Sequence, residues 1–222
     1  MDFDSDSELF SYLEAKAYAG VFSDVLDELG QRFQVISPHA GIRPLDNSFV
    51  AVGRAVTLLN EKDDNEEEPY DTVIKCIDSL GSNSLLVTTS SDNFEVGIMG
   101  ELTATALRAR KSRGAIVNGY SRDVRKLIGM KFPTFAWGAS PIDTTGRARV
   151  THYNIPIIIG GVRISPGDIV FADLDGTVVI PRDHEKEVVE NVIERINTEN
   201  VVRNELASGR TMAEVWRKYQ VL

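Results

Sequence analysis

The stretch GELTATALRARKSRGAIVNGYSRDVRKLI, residues 100–128, decides the fold of this chain. It predicts a helix that begins at about Glu101, a short apolar strand over residues 115–117, a turn at Asn118-Gly119 and a second helix that begins near Arg122-Asp123. The residues that share one face of the first helix are Leu102, Ala106 and Ala109. An order of helix, strand and helix is typical of an α/β protein.

Upstream of this stretch, helical and strand patterns already alternate. Apolar residues at helical spacing over residues 9–29 predict two short helices, with Ser23-Asp24 capping the start of the second and Gly30 ending it. The other elements predicted before residue 100 are a strand around residues 53–57, a helix over 71–78 and a strand over 84–88.

Downstream, the pattern becomes mostly β and then helical. Residues 154–180 are rich in Val and Ile and contain several Gly-bearing turns, which predicts antiparallel strands joined by tight turns, one of them at Asp173-Leu174-Asp175-Gly176. Residues 183–219 are charged and helical in pattern, with Gly209 between two helices. We therefore expect a single domain over residues 1–222 with a C-terminal helical extension from about residue 183.

Composition and charge restrict the class of protein. Of the 222 residues, 42% are hydrophobic, which is enough for one sizeable core. The N-terminus lacks the basic-then-apolar order of a signal peptide and the apolar runs are too short to span a membrane, so we expect a cytoplasmic protein without a membrane partner. The single cysteine, Cys76, fits a reducing compartment and lies in an apolar run, which favours a buried, inert thiol. A net charge of −9 argues against a nucleic-acid partner, because phosphate binding needs clustered Lys and Arg.

The first candidate site consists of Gly100, Glu101, Leu102 and Thr103, which follow a strand and a loop and begin a helix. Free backbone N–H groups at a helix start can bind a carboxylate. The glycine spacing matches neither a dinucleotide-binding fingerprint nor a Walker loop. A plain loop, in which Glu101 interacts with the helix dipole, therefore stays open as an alternative.

The second candidate site is Arg122-Asp123, which follows a strand and a turn, where α/β proteins expose ligand-binding groups. Asp at a helix start is also an ordinary cap and Arg an ordinary surface charge, so the pair alone is ambiguous. The two candidate segments end successive strands, however, and can converge on one ligand. Because Mg²⁺ needs only one or two carboxylates, Asp123 with Glu101 nearby is a sufficient set. Arg122 adds a planar, positively charged guanidinium that can donate hydrogen bonds to a carbonyl oxygen as that oxygen becomes an enolate oxygen.

Other chemistries have weaker support. The three histidines, His39, His152 and His184, form no recognisable zinc motif. Lys75 is a candidate for Schiff-base chemistry, but a lysine on an amphipathic helix is more typical of the surface. The acidic run over residues 63–68 is interpreted as a solvated loop.

Motifs along most of the chain also form one recognisable pattern. They are Gly53-Arg54-Ala55-Val56-Thr57, Gly100-Glu101-Leu102, Asn118-Gly119, Arg122-Asp123, Ala136-Trp137-Gly138, Pro166-Gly167-Asp168 and Asp173-Leu174-Asp175-Gly176-Thr177. Together they resemble the family related to the regulator of ribonuclease E activity A, which includes class II 4-hydroxy-4-methyl-2-oxoglutarate aldolases and oxaloacetate decarboxylases. The resemblance covers roughly residues 15–219.

The resemblance implies a fold, a site and a cofactor. The fold is a single-domain α/β/β sandwich of the swivelling β/β/α type, which assembles as a homotrimeric ring or as a hexamer with active sites between subunits. The amides of residues 100–103 hold the carboxylate of a small 2-oxo acid, Arg122 contacts its 2-oxo oxygen, and Asp123 binds Mg²⁺ or Mn²⁺ directly. Glu101, and Glu199 from a neighbouring subunit, reach the metal through water.

The activity that the resemblance implies is that of a divalent-metal-dependent lyase. It cleaves a 4-hydroxy-2-oxo acid to release pyruvate, or decarboxylates oxaloacetate, and both reactions pass through an enolate that the cation and Arg122 stabilise. Two other functions stay open: a non-catalytic regulator that binds a ribonuclease, and a sugar-acid catabolic enzyme with the same enolate chemistry. The long helical C-terminal extension favours the enzymatic branch.

Overall fold

The computed structural model describes residues 3–92 and 95–221. Its helices are α1 (Asp6–Lys16), α2 (Ala19–Glu28), α3 (Asp71–Asp78), α4 (Glu101–Ala109), α5 (Val124–Gly129), α6 (Glu185–Ala207) and α7 (Met212–Tyr219). Its strands are β1 (Arg43–Pro44), β2 (Ala51–Lys62), β3 (Ser84–Ser90), β4 (Gly97–Met99), β5 (Gly114–Asn118), β6 (Tyr120–Ser121), β7 (Thr134–Ala136), β8 (Gly138–Ala139), β9 (Ala148–Tyr153), β10 (Ile157–Ile159), β11 (Val162–Ile164), β12 (Ile169–Ala172) and β13 (Thr177–Ile180).

A mixed sheet, eight-stranded over the described residues, forms the centre of the molecule. Seven of its strands follow the order β1-β7-β5-β3-β2-β12-β13, and β9 pairs with the second half of β2. The neighbours β2, β3, β5 and β7 are parallel, so their C-terminal ends lie at one edge of the sheet. The pairs β10–β11 and β12–β13 are antiparallel hairpins, which confirms the expectation for residues 154–180.

Successive side chains of the central strands point into two different apolar layers. Val52 and Phe171 pack with helices α1, α2 and α6, whereas the adjacent Ala51 and Val170 pack with the hairpin β10–β11. A further cluster joins α3, α4 and α5 to the middle strands, on the same side as the other helices. The result is a helical layer, a central sheet and a small second β layer, the α/β/β arrangement that the resemblance implies.

The start of α2 differs from its prediction. The sequence places the cap at Ser23-Asp24, but α2 begins at Ala19, and both of those residues lie inside it. The Asp173 carboxylate, in the turn between β12 and β13, accepts a hydrogen bond from the Ala19 N–H at 2.8 Å. A side chain distant in sequence therefore caps this helix, which a local sequence pattern cannot show.

Several local predictions are confirmed. The helix over residues 71–78 and the helix start at Glu101 are as predicted, and Gly30 follows α2 in a left-handed conformation with φ of 74°. Cys76 is buried on α3, and desolvation raises the pKa of its thiol to about 11. Lys75 is exposed and pairs with Asp71 at 2.6 Å, as expected of a surface lysine. No helix in the described part of the chain is both long enough and apolar enough to cross a membrane.

Arg54 attaches α1 to the sheet and to the start of α6. Its guanidinium pairs with Asp6 at 2.6 Å and with Glu185 at 2.7 Å, and it lies 5.7 Å from the centroid of the Phe10 ring. Its side chain is 29% exposed, so solvent screens these pairs only partly. Removing the guanidinium would leave two carboxylates close together without their shared cation.

We therefore predict that Arg54→Ala lowers the free energy of unfolding by about 2 kcal/mol. The matched control is Lys186→Ala, since Lys186 is 88% exposed and lies 3.9 Å from its partner Glu190. That change should cost less than about 0.5 kcal/mol. Urea denaturation of both variants measures the difference, and equal losses would show that the Arg54 pairs contribute no more than a surface pair.

Candidate functional site

A small three-stranded parallel sheet brings the two candidate segments together. It has the order β4-β6-β8, and β4 leads into α4 while β6 leads into α5. The Arg122 N–H donates a hydrogen bond to the Met99 carbonyl at 2.7 Å, directly beside Gly100. The start of α4 and the start of α5 therefore meet at one point, as the sequence predicted from their positions after successive strands.

Two glycines make this close approach sterically feasible. A Cβ at Gly97 would lie 2.8 Å from the Arg122 Cβ and 2.7 Å from the Ser140 carbonyl oxygen. A Cβ at Gly100 would lie 2.8 Å from the Arg122 Cγ and 2.9 Å from the Asp123 Oδ2. Real Cβ atoms do not come this close to other atoms. The glycines thus serve to seat Arg122 and Asp123 against the start of α4, rather than to form a phosphate-binding loop.

Asp123 sits in a left-handed backbone conformation, with φ of 55° and ψ of 29°. Asp tolerates this region better than most residues, and such strain is concentrated at functional sites. Its carboxylate does not cap α5; instead Oδ2 accepts a hydrogen bond from the Glu101 N–H at 3.2 Å. The carboxylate is therefore placed at the positive end of α4 and is 38% exposed.

The first turn of α4 also presents backbone donors. The N–H groups of Leu102 and Thr103 have no acceptor within the helix. An α-helical N–H bonds the carbonyl four residues earlier, and for the first turn that carbonyl lies before the helix begins. Leu102 is 79% exposed, and the buried residues of α4 are Ala104 and Leu107. Leu102 thus borders the site instead of the core, whereas Ala106 lines the cleft and also packs against the core cluster of α3, α4 and α5.

Arg122 is held by a carboxylate that sequence reasoning missed. Its Nη1 donates a hydrogen bond to Asp143 Oδ1 at 2.6 Å, and Asp143 Oδ2 accepts one from the Tyr70 hydroxyl at 2.8 Å. Burial opposes the ionised form of Asp143, but hydrogen bonds from Tyr70, Thr145 and the Thr144 N–H, with the charge of Arg122, lower its pKa below the usual value. Asp143 is therefore ionised over the whole neutral range and fixes the guanidinium.

A cleft of about 640 Å³ opens at this point, and Gly100, Leu102, Thr103, Arg122 and Asp123 line it. Asp143 and Tyr70 line it as well. Neither residue had a distinguishing sequence signal, since each lies in a polar loop or at its end. The cleft is of the size that binds small organic ligands.

The side chains of the two further predicted acids, Glu101 and Glu199, do not line the cleft. Glu101 is absent from the cleft lining and faces Lys126, with 3.4 Å between its Oε2 and the lysine Nζ. Glu199, on α6, accepts a hydrogen bond from the Tyr18 hydroxyl and lies 3.8 Å from the Arg195 Nε. Burial, and then this hydrogen bond, raise the pKa of Tyr18. Within one chain Glu199 does not join the cleft, and its role in the site of a neighbouring subunit stays a prediction.

The donor set at the cleft fits a hydrated magnesium-type cation better than a zinc ion. Among the described residues, no three His, Cys, Asp or Glu side chains are grouped closely enough to hold a metal ion. A closed zinc site needs such a group, whereas Mg²⁺ is commonly bound by one or two carboxylates, water and substrate oxygens. Asp123, with one carboxylate oxygen free of the contact to α4, meets that requirement.

Comparison with known proteins identifies a family and several similar sequences. Residues 21–179 match the family described as RraA-like, Aldolase/RraA. Protein DlpA of Legionella pneumophila is 31% identical over 198 residues, which cover 89% of this chain but 31% of DlpA, so this chain spans about a third of that protein. A protein of Halalkalibacterium halodurans named "Putative 4-hydroxy-4-methyl-2-oxoglutarate aldolase" is 27% identical over 172 residues, 78% of this chain and 79% of that protein.

A solved structure shares the fold. RraAS2 of Streptomyces coelicolor, described as an unusual member of the RNase ES inhibitor RraA protein family, superimposes with a TM-score of 0.79 over 90% of this chain and 98% of that chain, at 24% identity. The shared architecture confirms the fold that the sequence resemblance predicts. The family match, which spans most of the chain, shows that the chain belongs to the RraA-like, Aldolase/RraA family.

Proposed function

We propose that this protein is a divalent-metal-dependent lyase that cleaves a 4-hydroxy-2-oxo acid to release pyruvate and also decarboxylates oxaloacetate. One observation carries the proposal: Arg122, Asp123 and the first-turn residues Leu102 and Thr103 of α4 border the same cleft. A guanidinium, a carboxylate and unpaired N–H groups are together the set that a 2-oxo acid and its metal require. Family relatives that are named as aldolases support the same reaction class.

Each group has a distinct role in this proposal. The amides of Leu102 and Thr103 bind the substrate carboxylate, and Arg122 donates to the 2-oxo oxygen. Among the described residues no acceptor takes a hydrogen bond from the Arg122 Nη2, so that nitrogen is available for this contact. Asp123 would hold Mg²⁺ or Mn²⁺, which supplies Lewis-acid polarisation of the 2-oxo group.

The chemistry follows from where charge develops. Cleavage of the C3–C4 bond leaves an electron pair on C3, and delocalisation moves the negative charge onto the 2-oxo oxygen. The guanidinium of Arg122, already oriented by Asp143, stabilises that oxygen without reorganising. Asp143 itself is a poor base because its pKa is lowered, so its role is to position Arg122.

The retro-aldol direction also needs a group that removes the C4 hydroxyl proton. Glu101, and Glu199 of a neighbouring subunit, remain our proposed relays for this proton. Glu199 of the same chain does not line this cleft, so another copy of the chain would have to supply it. The proposal therefore includes a homotrimer or a hexamer.

Two alternative functions give different results in simple assays. A non-catalytic ribonuclease regulator would form a complex with the nuclease and would turn over no 2-oxo acid. A sugar-acid catabolic enzyme would cleave a polyhydroxylated 2-oxo acid in preference to other 4-hydroxy-2-oxo acids.

Replacing Asp123 tests its metal role with little change to the backbone. Asn also tolerates the left-handed conformation, so Asp123→Asn removes the charge while keeping φ near its native value. We predict that kcat/KM for pyruvate release in Mg²⁺ falls about 1,000-fold, with an unchanged melting temperature. If the Asn variant keeps most of its turnover, Asp123 does not bind the metal.

Two substitutions separate the charge of Arg122 from its orientation. Arg122→Lys should lower kcat about 100-fold, because an ammonium cannot contact Asp143 and the 2-oxo oxygen in the same fixed geometry. Asp143→Asn should lower kcat about tenfold with a smaller change in KM, since the guanidinium remains but is held less firmly. Steady-state kinetics of both variants measure these effects, and a fully active Arg122→Lys enzyme would contradict the assigned role.

A methyl group at Gly100 tests the close approach. Gly100→Ala should lower kcat/KM about 100-fold by displacing the Arg122 side chain and the Asp123 carboxylate. The control is Gly129→Ala, because nothing lies within 4 Å of a Cβ at that position. The control should keep its activity and gain up to about 1 kcal/mol of stability, as expected for Ala in a helix. Equal activity of the two variants would exclude the steric constraint.

A further inference from the structure

Three side chains in the cleft connect the start of α3 to the start of α5. Tyr70 immediately precedes α3, Asp143 lies in the loop between β8 and β9, and Arg122 lies just before α5. The Tyr70 hydroxyl donates a hydrogen bond to Asp143 Oδ2 at 2.8 Å, and Asp143 Oδ1 accepts one from Arg122 Nη1 at 2.6 Å. All three residues line the cleft. The guanidinium assigned to the 2-oxo oxygen is therefore connected to α3 through a single carboxylate.

That carboxylate is fixed because its two oxygens have different donors. A carboxylate held at one oxygen can turn about its last side-chain bond, since this torsion has only a broad preference. In Asp143 the hydrogen bond from Tyr70 to Oδ2 prevents such rotation while Oδ1 holds Arg122. Burial opposes the ionised form of Asp143, and the hydrogen bond from Tyr70 is the largest of the contributions that lower its pKa. Tyr70 thus restrains both the rotation and the protonation of the group that orients Arg122.

Tyr70 is itself held by the chain on both sides of it. Its carbonyl accepts a hydrogen bond from the Ile74 N–H at 2.9 Å, in the first turn of α3. The loop that precedes it is attached to β9 by Arg149, whose Nη2 donates to the carbonyls of Asn65 and Glu67, each at 3.0 Å. A tyrosine side chain has only two torsions, so it presents its hydroxyl at a small cost in conformational entropy. The Tyr70 hydroxyl is therefore a well-placed donor before any ligand binds.

We infer that Tyr70 is a positioning residue for the proposed reaction: its hydroxyl fixes the Asp143 carboxylate, which in turn fixes the Arg122 guanidinium toward the 2-oxo oxygen. This inference rests on the proposed function, in which Arg122 stabilises the charge that develops on that oxygen. Orientation matters most in the transition state, because the full negative charge on the oxygen exists only there. Loss of the Tyr70 hydroxyl should therefore lower kcat more than it changes KM.

Tyr70→Phe removes the hydroxyl and keeps the ring. With oxaloacetate in Mg²⁺, we predict that kcat for pyruvate release falls about fivefold, as expected for the loss of one hydrogen bond, while KM changes less than about twofold. The matched control is Tyr219→Phe, because the Tyr219 hydroxyl also donates to a carboxylate, Glu205 Oε1 at 2.9 Å, but lies outside the cleft lining. The control should keep both kinetic constants.

A double-mutant cycle shows whether Tyr70 acts through Asp143. In an Asp143→Ala background the carboxylate that joins Tyr70 to Arg122 is absent, so adding Tyr70→Phe should change kcat less than about 1.5-fold. A hydroxyl that only stabilises the fold, or that acts on the substrate by itself, would instead lower kcat by the same factor in both backgrounds. Steady-state kinetics of the unmodified chain, the two single variants and the double variant complete the cycle.

The outcomes distinguish this inference from the function on which it rests. If the unmodified chain releases no pyruvate from oxaloacetate or from 4-hydroxy-2-oxo acids in Mg²⁺, the proposed function fails and the inference fails with it. Turnover by the unmodified chain with an unchanged kcat in Tyr70→Phe would overturn the role of Tyr70 alone. Equal losses in the two backgrounds, or an equal loss in Tyr219→Phe, would also overturn that role and leave the proposed function intact.

Discussion

Gly100 lies so close to Arg122 and Asp123 that the site depends on its having no side chain: a Cβ there would meet the Arg122 Cγ at 2.8 Å and the Asp123 Oδ2 at 2.9 Å. The small parallel sheet β4-β6-β8 imposes this approach by pairing the strand before α4 with the strand before α5. The first turn of α4, with its free amides, then shares one cleft with a guanidinium and a carboxylate. The amides come from the start of α4 and the Arg122-Asp123 pair from the start of α5, so the sheet, not either motif alone, creates the site.

Electrostatics determine how those groups are used. The Glu101 N–H, which donates a hydrogen bond at 3.2 Å, and the positive end of the α4 dipole stabilise the Asp123 carboxylate. Asp143, kept ionised by its hydrogen bonds, orients Arg122 and balances its charge. An oriented carboxylate and an oriented guanidinium therefore border the same cleft.

The sequence predicted those parts of the molecule that depend on neighbouring residues. The helix over residues 71–78, the start of α4 at Glu101 and the turn at Asp173-Leu174-Asp175-Gly176 follow from local spacing and turn chemistry, and the structure confirms them. Features that depend on distant contacts were not predictable in this way. The cap of α2 comes from Asp173, and the partner of Arg122 is Asp143, a loop residue whose role depends only on the folded geometry. The convergence of the two candidate segments was predictable because both follow strands of one sheet, whereas the roles of Glu101 and Glu199 stay predictions, since neither side chain lines the cleft.

We propose that Asp123, Arg122 and the α4 amides act together on a metal and a 2-oxo acid. Pyruvate release by the purified chain from oxaloacetate and from a panel of 4-hydroxy-2-oxo acids tests this, first in a chelator and then after Mg²⁺ is restored. We predict that turnover disappears in the chelator and returns with Mg²⁺. Turnover that persists in the chelator, with borohydride trapping the substrate on a lysine, would contradict it.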